Sequence, residues 1–339
     1  MGGATAPAGG RSYTPIPSIS APRSRGLDIS TRPGLYTGRM APSTPDATAP
    51  TGPWTSRTLL SWMGDAFRAR DLDAPRVLAE LLLAHVLECD RMRLYMEADR
   101  PASPEERDRL RALVSRALRH EPVQYLVGEA WFFSMPFHVD PRVLIPRPST
   151  ATIVEHVLQD ARESATPPAR IADICTGSGC IATALLKHLP DAHCVAVDIS
   201  PDALEVAAMN AETHGVRDRL DLRCGDLLEP IEEPVDVLVS NPPYIPDHEW
   251  DAVEPNVRDH EPHLALRASP DGLRFVRPLI DGLGTVLKPG GQALIEIAAC
   301  TADEVVAYAE TRPELGGARI LKDCDDLPRV LVVHRVMNG

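Results

Sequence analysis

The sequence predicts an α/β protein in which a small helical bundle and a β-hairpin precede a mostly parallel sheet covered by helices. From Ala169 onward, strand patterns alternate with helix patterns, which is typical of such a sheet. Between Trp54 and His120, apolar residues recur at the spacing of one helix face. Aromatic residues collect between these two parts. The predicted organisation is a leader at 1–53, a helical domain at 54–120, a hairpin linker at 121–148 and a main domain at 149–339.

The leader differs from the rest of the chain in composition. It holds 9 of the 33 prolines, with Ser, Thr, Ala and Gly between them and almost no apolar cluster to bury. Such a stretch cannot offset its chain entropy by burial, so residues 1–53 are predicted to be disordered. An acid-poor segment with Arg and Ser also fits an organellar transit peptide, but an amphipathic helical period is missing. A cytoplasmic location is therefore expected.

Net charge and composition argue against several function classes. The chain carries −13, and because five Arg and two Asp give the leader +3, residues 54–339 carry −16. A surface this acidic repels a phosphate backbone, which argues against a general nucleic-acid binder. No apolar run approaches ~18 residues and no apolar signal segment is seen, so neither a membrane span nor secretion is expected. The seven cysteines form no C-x-x-C pair, which predicts reduced thiols and no metal site.

Capping residues and periodicity predict three helices in the helical domain. Thr55 or Ser56 can cap the first, and Pro75 begins the second at a first-turn position. The segment 103–106, Ser-Pro-Glu-Glu, is a capping signal for the third. The apolar faces of these helices predict a hydrophobic core rather than cofactor contacts.

The linker is marked by aromatic residues followed by Pro146-Arg147-Pro148. This pattern predicts a β-hairpin whose aromatic side chains mostly bury it between the domains. The aromatic residues are Tyr125, Trp131, Phe132, Phe133 and Phe137.

The main domain is predicted to contain seven strands. They are expected at 170–174, 193–198, 220–224, 235–240, 292–297, 318–322 and 329–335. Helices are expected near 180–189, 201–214, 271–287 and 301–309. The last two strands have no clear helix between them, which predicts an antiparallel edge of the sheet.

Polar and glycine residues follow the first three of these strands. Gly177 and Gly179 let the backbone pass close to a ligand at a helix N-terminus. Asp198 can accept both hydroxyls of a ribose, and Asp226 can accept from an adenine amino group with Leu227 packed on the ring. These features fit a nicotinamide dinucleotide as well as S-adenosylmethionine. The candidate cofactor-binding residues are Asp173, Cys175, Thr176, Gly177, Ser178, Gly179, Asp198, Asp226, Leu227 and Asn241.

The fourth strand leads directly into Asn241-Pro242-Pro243-Tyr244, the candidate catalytic residues. A planar NH2 group placed there can donate its two hydrogens to the Asn241 side-chain oxygen and the Pro242 carbonyl. Tyr244 can then stack on its face. Polarising both N–H bonds raises the electron density on a poorly nucleophilic nitrogen, which suits a methyl acceptor with the donor in line behind it.

Together, these motifs resemble the protein-(glutamine-N5) methyltransferases over about residues 55–335. Besides 241–244, the similar segments are 121–128 (EPVQYLVG), 143–148 (VLIPRP), 198–201 (DISP) and 261–266 (EPHLAL). Asn-Pro-Pro-Tyr by itself is shared with adenine-N6 DNA methyltransferases, so the resemblance depends on the combination.

The resemblance implies a seven-stranded, Rossmann-like class I fold that uses S-adenosylmethionine. Loop 175–179 and Asp198 would hold the donor, with Leu227 beside its adenine. Asn241 would contact donor and substrate, and residues 242–244 would complete a glutamine pocket. Members of the family methylate the glutamine of the Gly-Gly-Gln loop of peptide chain release factors, or a glutamine of ribosomal protein L3. One of these proteins is the expected partner, without direct nucleic-acid recognition.

The chain departs from the release-factor enzymes next to the linker. Those enzymes typically continue Pro-Arg-Pro-Glu-Thr-Glu, whereas here Ser149-Thr150-Ala151 follows, so both carboxylates are missing. Segments 173–180 and 130–132 are more similar to the L3 branch, and the helical domain is more similar to the release-factor branch. Because the helical domain is expected to meet the substrate protein, a release factor is the favoured substrate.

Other hypotheses stay open on the sequence alone. An adenine-N6 DNA methyltransferase shares the motif but is disfavoured by the acidic charge and the lack of a basic recognition module. A dehydrogenase would leave Asn-Pro-Pro-Tyr without a role, and a donor-binding protein without activity fits the missing carboxylates. Glu261 and His263 are candidate general bases, although a preorganised amide site does not require one, and Glu261 can instead anchor a substrate loop.

Overall fold

The computed structural model describes residues 53–337. The predicted leader lies outside this range apart from Pro53, and its disorder stays a prediction, as do the domain boundaries. Within the described range, no helix combines the length and the apolar character needed to cross a bilayer.

Five helices form the amino-terminal part. Thr55 caps the first helix, because its side chain accepts a hydrogen bond from the Thr58 N–H and the Thr58 side chain accepts one from the Thr55 N–H. Ser103 and Glu106 form the same reciprocal cap on the fourth helix. Pro75 occupies the first turn of the second helix, as predicted. The third and fifth helices are not predicted, because runs of 6 and 5 residues are too short to show a helical period. The helices are α1 Ser56–Arg68, α2 Pro75–Leu87, α3 Arg91–Met96, α4 Pro104–Ala117 and α5 Val123–Val127.

The linker contains a short antiparallel hairpin, with β1 (Glu129–Phe132) paired to β2 (Met135–His138). Phe132 and Phe137 are buried as predicted. Trp131 is 61% exposed, because alternate residues of a strand point to opposite faces.

The start of the linker is helical, which corrects the prediction of a hairpin throughout. Tyr125 lies on α5, and its hydroxyl donates a hydrogen bond to the carbonyl oxygen of Val143 at 2.5 Å. The helix is thereby fixed to the segment that leads from the hairpin into the main domain.

The main sheet has seven strands in the order β5-β4-β3-β6-β7-β9-β8. The strands from β5 to β7 in this order are parallel, and β9 is antiparallel to β7 and β8, which confirms the predicted edge. The strands are β3 Arg170–Ile174, β4 His193–Asp198, β5 Leu220–Cys224, β6 Val235–Ser240, β7 Leu287–Glu296, β8 Leu315–Lys322 and β9 Pro328–Arg335. The first four agree with the prediction to the residue.

The helices of the main domain are α6 Ala151–Glu163, α7 Cys180–His188, α8 Pro201–Thr213, α9 Pro255–Arg258, α10 Val276–Val286 and α11 Ala302–Glu310. The helix predicted at 271–287 is shorter and begins at Val276. The prediction does not include α6, although its buried residues Ile153, Val154, Val157 and Leu158 have helical spacing.

A hydrophobic core lies on each face of the sheet. One core joins α6 and α7 to the strands through residues such as Val157 and Leu185, and the other joins α10 and α11 through Leu283 and Val305. β3 lies between β4 and β6, so the strand order reverses there. A switch point of this kind opens a crevice at the carboxyl ends of the strands. The predicted site residues follow these same strand ends.

Candidate active site

A cavity of about 550 Å³ opens at the carboxyl ends of β3, β4 and β6. Its wall is completed by the end of the linker and by the loop after α9. The predicted residues that line it are Cys175, Thr176, Gly177, Ser178, Asp198, Asp226, Leu227, Asn241 and Pro243. The other predicted residues, Asp173, Gly179, Pro242 and Tyr244, are not part of its lining. The structure therefore brings most of the predicted site into one cavity.

The loop after β3 contains three residues with left-handed backbone. Cys175, Gly177 and Gly179 have φ of 59°, 55° and 73°. A Cβ atom at Gly179 would lie 3.0 Å from the Cβ of Ala207, so backbone and packing on α8 both require glycine there. Cys175 adopts the same backbone with a side chain, which costs about 1 kcal/mol. Strain of this kind concentrates at ligand sites.

Asp173 supports this loop from inside the protein. It is completely buried, and one carboxylate oxygen accepts hydrogen bonds from the Thr176 hydroxyl at 2.7 Å and the Ala182 N–H at 3.1 Å. Burial raises the pKa of Asp173 to about 7, against the lowering effect of these hydrogen bonds. Because Asp173 does not reach the cavity, we infer that it positions the loop.

Asp198 connects the end of β4 to the same loop. Its two carboxylate oxygens accept hydrogen bonds from the Gly177 N–H and the Ser200 N–H, both at 2.9 Å. Burial raises the pKa of Asp198, and these backbone donors oppose the rise. The side chain lines the cavity and has further lone pairs, so it can accept the hydroxyls of a ribose.

Two apolar side chains flank the cavity beside Asp198. Leu227 has a left-handed backbone with φ of 47°, and Ile199 is 53% exposed although it is large and apolar. Both line the cavity and offer apolar contact to a flat ring. Ile199 is absent from the sequence prediction, and its position directly after Asp198 was the available signal.

The Asn-Pro-Pro-Tyr segment is held by a buried carboxylate. Tyr244 donates its hydroxyl to one oxygen of Glu296 at 2.9 Å, and Thr150 donates its hydroxyl to the other at 2.7 Å. The Nδ2 atom of Asn241 donates to the Thr150 hydroxyl oxygen at 3.1 Å. We call these four residues, Thr150, Asn241, Tyr244 and Glu296, the Glu296 network. It connects the first and last residues of the motif through the side chains of Thr150 and Glu296.

Two oxygens of the motif accept no hydrogen bond from the residues that the structure describes. Among the described residues, neither Oδ1 of Asn241 nor the carbonyl oxygen of Pro242 accepts a hydrogen bond. Asn241 lines the cavity and Pro242 is its buried neighbour. That these two oxygens accept the two hydrogens of a planar NH2 group stays a prediction.

The segment where the family carboxylates are missing supplies one of these contacts. Ser149 and Ala151 occupy the two positions, and the threonine between them, Thr150, is 2% exposed. Thr150 and Glu296 are both absent from the predicted site. The signal for Glu296 was a lone acid inside an apolar strand, Ala-Leu-Ile-Glu-Ile at 293–297.

The two candidate general bases have different surroundings. Glu261 is buried and accepts hydrogen bonds from the Ile145 N–H at 3.0 Å and the Arg147 guanidinium at 2.5 Å. This arrangement fits the alternative interpretation of Glu261 as a loop anchor. His263 lines the cavity, and its Nε2 lies 2.7 Å from the carbonyl oxygen of Arg258.

Comparison with known proteins identifies similar chains. The description "PrmC N-terminal domain" matches residues 58–128, and "Methyltransferase small domain" matches residues 149–264. The release factor glutamine methyltransferase of Chlorobaculum tepidum is 39% identical over 291 residues, which cover 82% of this chain and 96% of that protein. The release factor glutamine methyltransferase of Geobacter sulfurreducens is 41% identical over 254 residues, 75% of this chain and 87% of that protein.

A solved structure with a similar fold is the ribosomal protein L11 methylase from Lactobacillus delbrueckii subsp. bulgaricus. It is 21% identical, with a TM-score of 0.42 over 58% of this chain and 84% of that one.

Proposed function

The chain belongs to the release factor glutamine methyltransferase family, and we propose that it transfers a methyl group from S-adenosylmethionine to the side-chain amide nitrogen of a glutamine in a peptide chain release factor. The first relatives are 38 to 41% identical to it and align over 87 to 97% of their own length.

We propose that the methyl donor occupies the part of the cavity beside β3 and β4. Asp198 would accept the ribose hydroxyls, while Ile199 and Leu227 would pack on the adenine and Asp226 would accept from its amino group. The loop 175–179 would lie along the rest of the donor. When bound, S-adenosylmethionine supplies an electrophilic methyl group on a sulfonium.

The observation that carries the proposal is the pair of free acceptors, Oδ1 of Asn241 and the carbonyl oxygen of Pro242. A glutamine side chain presents an NH2 group with two hydrogens in one plane, which matches this pair. An amide nitrogen is a poor nucleophile because its lone pair is delocalised into the carbonyl group. Acceptors at both N–H bonds raise the electron density on nitrogen and stabilise the positive charge that develops during attack.

The site residues also account for the remaining steps of the transfer. The nitrogen–carbon bond forms as the carbon–sulfur bond breaks, and the nitrogen then loses one proton. That proton is acidic once the nitrogen is alkylated, so it can pass to solvent without a strong base. Glu261 is consistent with this because its carboxylate is occupied by Arg147 and Ile145.

We propose a release factor rather than ribosomal protein L3 as the substrate. The relatives reported above are named for the release factor, and the helical part, residues 58–128, matches a domain of the same family. On this basis residues 54–120 would meet the substrate protein, 121–148 would form the linker and 149–339 the catalytic domain. A cytoplasmic location fits a substrate of this kind and stays a prediction.

The experiment compares substrates in one labelling assay. The full chain is incubated with methyl-labelled S-adenosylmethionine and, in parallel, a bacterial release factor, ribosomal protein L3 or duplex DNA. Label is expected on the Gly-Gly-Gln peptide of the release factor, and a release factor with that glutamine changed to alanine should stay unlabelled. Label confined to L3 or DNA would overturn the proposed substrate. Donor binding by calorimetry without label on any substrate would indicate an inactive homologue.

A further inference from the structure

Glu296 is completely buried at the carboxyl end of β7, next to the cavity but not in its lining. Its two oxygens accept the hydroxyls of Thr150 and Tyr244 at 2.7 and 2.9 Å. These contacts join three parts of the chain that are far apart in sequence, since Thr150 and Glu296 are 146 positions apart. The proposed mechanism gives Glu296 no role at the reacting atoms.

We propose that Glu296 and Thr150 are positioning residues that fix which end of the Asn241 carboxamide faces the substrate. This inference rests on the proposed function, because it concerns the acceptor that Asn241 presents to the glutamine NH2 group. Thr150 borders the cavity and Glu296 lies behind it, and in this scheme both act through Asn241 rather than on the reacting atoms.

The charge of the Glu296 carboxylate determines the direction of each hydrogen bond in the network. In its ionised form, Glu296 has lone pairs but no hydrogen, so both hydroxyls must then donate to it. The single hydrogen of the Thr150 hydroxyl is then used, and only lone pairs remain for its second neighbour. The atom of Asn241 that lies 3.1 Å from Thr150 must therefore be the donor, Nδ2.

The consequence appears at the opposite end of the carboxamide. The oxygen and nitrogen ends of an asparagine side chain are nearly equal in size, so sterics alone do not select one orientation. With Nδ2 bound to Thr150, Oδ1 is the end that remains free, and no described residue donates to it. A reversed carboxamide would place its own NH2 group against the substrate NH2 group. Two donors would then face each other and the polarisation of the nucleophile would be lost.

The same carboxylate also fixes the far end of the motif. Tyr244 uses its hydroxyl hydrogen for Glu296, so its ring is held at one end. Burial raises the pKa of Tyr244, which keeps this hydroxyl protonated as a donor. One carboxylate thus positions both Asn241 and Tyr244 around the proposed amide site.

The network predicts a dependence on pH. The titratable or charged groups that face Glu296 are Arg329 from β9, Arg147 from the linker, Tyr244 from the loop after β6 and Cys180 from α7. Burial raises the pKa of Glu296, while the hydroxyls of Thr150 and Tyr244 and the two guanidinium groups lower it. Proton uptake by Glu296 removes an acceptor from the network and releases the orientation of Asn241. The turnover number should therefore decline on the acid side as Glu296 becomes protonated.

The experiment changes hydrogen bonding with little change in shape. Thr150→Val keeps the volume and removes the hydroxyl, Thr150→Ser keeps the hydroxyl, and Glu296→Gln supplies an NH2 group that can reverse the network. Thr183→Val is the matched control, because the hydroxyl of Thr183 is completely buried on α7 without a partner among the described residues. For each variant, kcat and KM for the release factor, donor affinity by calorimetry and melting temperature are measured.

Thr150→Val is expected to lower kcat about 100-fold, the size of effect seen when one preorganised polar contact is lost. The affinity for the donor should stay within about twofold of the wild-type value, because valine keeps the shape of the side chain. Thr150→Ser should have most of the wild-type kcat, because serine restores the hydroxyl that orients Asn241. In Glu296→Gln, kcat should fall at least as far as in Thr150→Val, and it should no longer decline on the acid side. The double variant Thr150→Val/Glu296→Gln should be no slower than Glu296→Gln alone. Wild-type kcat in Thr150→Val, or equal loss in Thr150→Ser, would overturn the proposal.

A second measurement separates this proposal from the proposed function. If the wild-type chain transfers no methyl group, the proposed function fails, but the orientation of Asn241 is still observable. In ¹⁵N NMR spectra, the side-chain NH2 signal of Asn241, assigned by its loss in Asn241→Ala, should exchange slowly in the wild type and in Thr183→Val. It should exchange faster in Thr150→Val. Equal exchange in all of these proteins would overturn the positioning role.

Discussion

The guanidinium of Arg147 lies 2.5 Å from the carboxylate of Glu261, a residue 114 positions further along the chain. Glu261 also accepts the Ile145 N–H, and its side chain has no exposed surface. A chain neighbour of each residue lines the cavity: Pro146, which precedes Arg147 in the linker, and Pro262, which follows Glu261 in the loop after α9. The ion pair therefore holds two walls of the proposed active site together.

Arg147→Met should destabilise the protein because Glu261 would remain buried without its cation. We expect a loss of about 3 kcal/mol in the free energy of unfolding at pH 8, the size found when one partner of a buried pair is removed. Burial already raises the pKa of Glu261, so the variant should recover stability as the pH falls and this carboxyl takes up a proton. Urea unfolding at pH 5 and pH 8 measures both effects.

Arg57→Met is the matched control, since Arg57 pairs with Asp99 on the surface, where the side chains are 65% and 84% exposed. It should cause no measurable loss. The double variant Arg147→Met/Glu261→Gln should recover much of the stability. Equal losses in Arg57→Met and Arg147→Met would contradict the role given to the buried pair.

Asp198→Ala should weaken donor binding. The carboxylate that would accept the ribose hydroxyls is lost, and the Gly177 and Ser200 N–H groups lose their acceptor. Hydrogen bonds to a charged group contribute about 1.5–3 kcal/mol, so Kd should rise roughly 10- to 100-fold. Calorimetry with S-adenosylmethionine measures the change. Asp221→Ala, at an exposed aspartate of the neighbouring strand β5, should bind the donor like the wild type, and an unchanged Kd in Asp198→Ala would remove Asp198 from the site.

Asn241→Ala should abolish methyl transfer while leaving the fold intact. It removes one of the two free acceptors of the proposed amide site, and kcat is expected to fall at least about 100-fold. Asn241 is only half-buried, so the loss of its hydrogen bond to Thr150 should have a small effect on the melting temperature. Single-turnover transfer to the release factor and a thermal melt are the two measurements. Turnover like that of the wild type would refute the mechanism.

Asn210 carries a structural prediction, because it is 1% exposed and joins the hairpin to the donor loop. Its Nδ2 donates to the carbonyl oxygens of Ser178 and His138, and its Oδ1 accepts the His138 N–H at 2.7 Å. Asn210→Ala leaves these backbone groups without partners, which should cost about 3 kcal/mol of stability. Because Ser178 lines the cavity, donor affinity should fall as well. A loss of stability without weaker donor binding would show that the loop does not depend on this residue.

The parts of the fold that the sequence predicted well are those determined by local patterns. The bounds of four parallel strands agree to the residue, and Val235–Ser240 shows why, because it is a nearly continuous buried run rich in β-branched valine. The glycine loop and Asp198 were predicted because each lies at the end of a predicted strand, and the carboxyl ends of parallel strands meet at one edge of the sheet. Short helices such as α3 and α5 contain too few residues for a period to appear.

The unpredicted parts of the site depend on contacts between distant residues. Thr150 lies between the two positions where the carboxylates of the release-factor enzymes are missing. Glu296, which accepts its hydroxyl, is 146 residues away. The sequence predicts that Glu296 lies within a strand. Which groups form hydrogen bonds with its buried carboxylate, and so offset the free-energy cost of burying it, depends on the tertiary packing of α6, β6 and β9. Asp173 was predicted at the donor, whereas the structure places it one layer behind, beneath Thr176. Local sequence shows that such a residue is polar and near the site, but not which side of the loop it occupies.

Asp173→Asn should change how stability depends on pH. Burial raises the pKa of Asp173 to about 7 from an ordinary value of 3.8, so between these values the folded protein holds a proton that the unfolded chain has released. The free energy of unfolding of the wild type therefore falls as the pH rises through this window, by at most about 1.4 kcal/mol per pH unit from this group. Asparagine does not titrate, so the stability of Asp173→Asn relative to the wild type should increase from pH 4 to pH 7 and become constant above.

Thr176→Val removes a hydrogen bond that favours the charged carboxylate, so the pH dependence of its stability should extend to higher pH. Urea unfolding of the three proteins at fixed ionic strength measures these slopes, and parallel profiles for the wild type and Asp173→Asn would show that folding does not raise the pKa of Asp173.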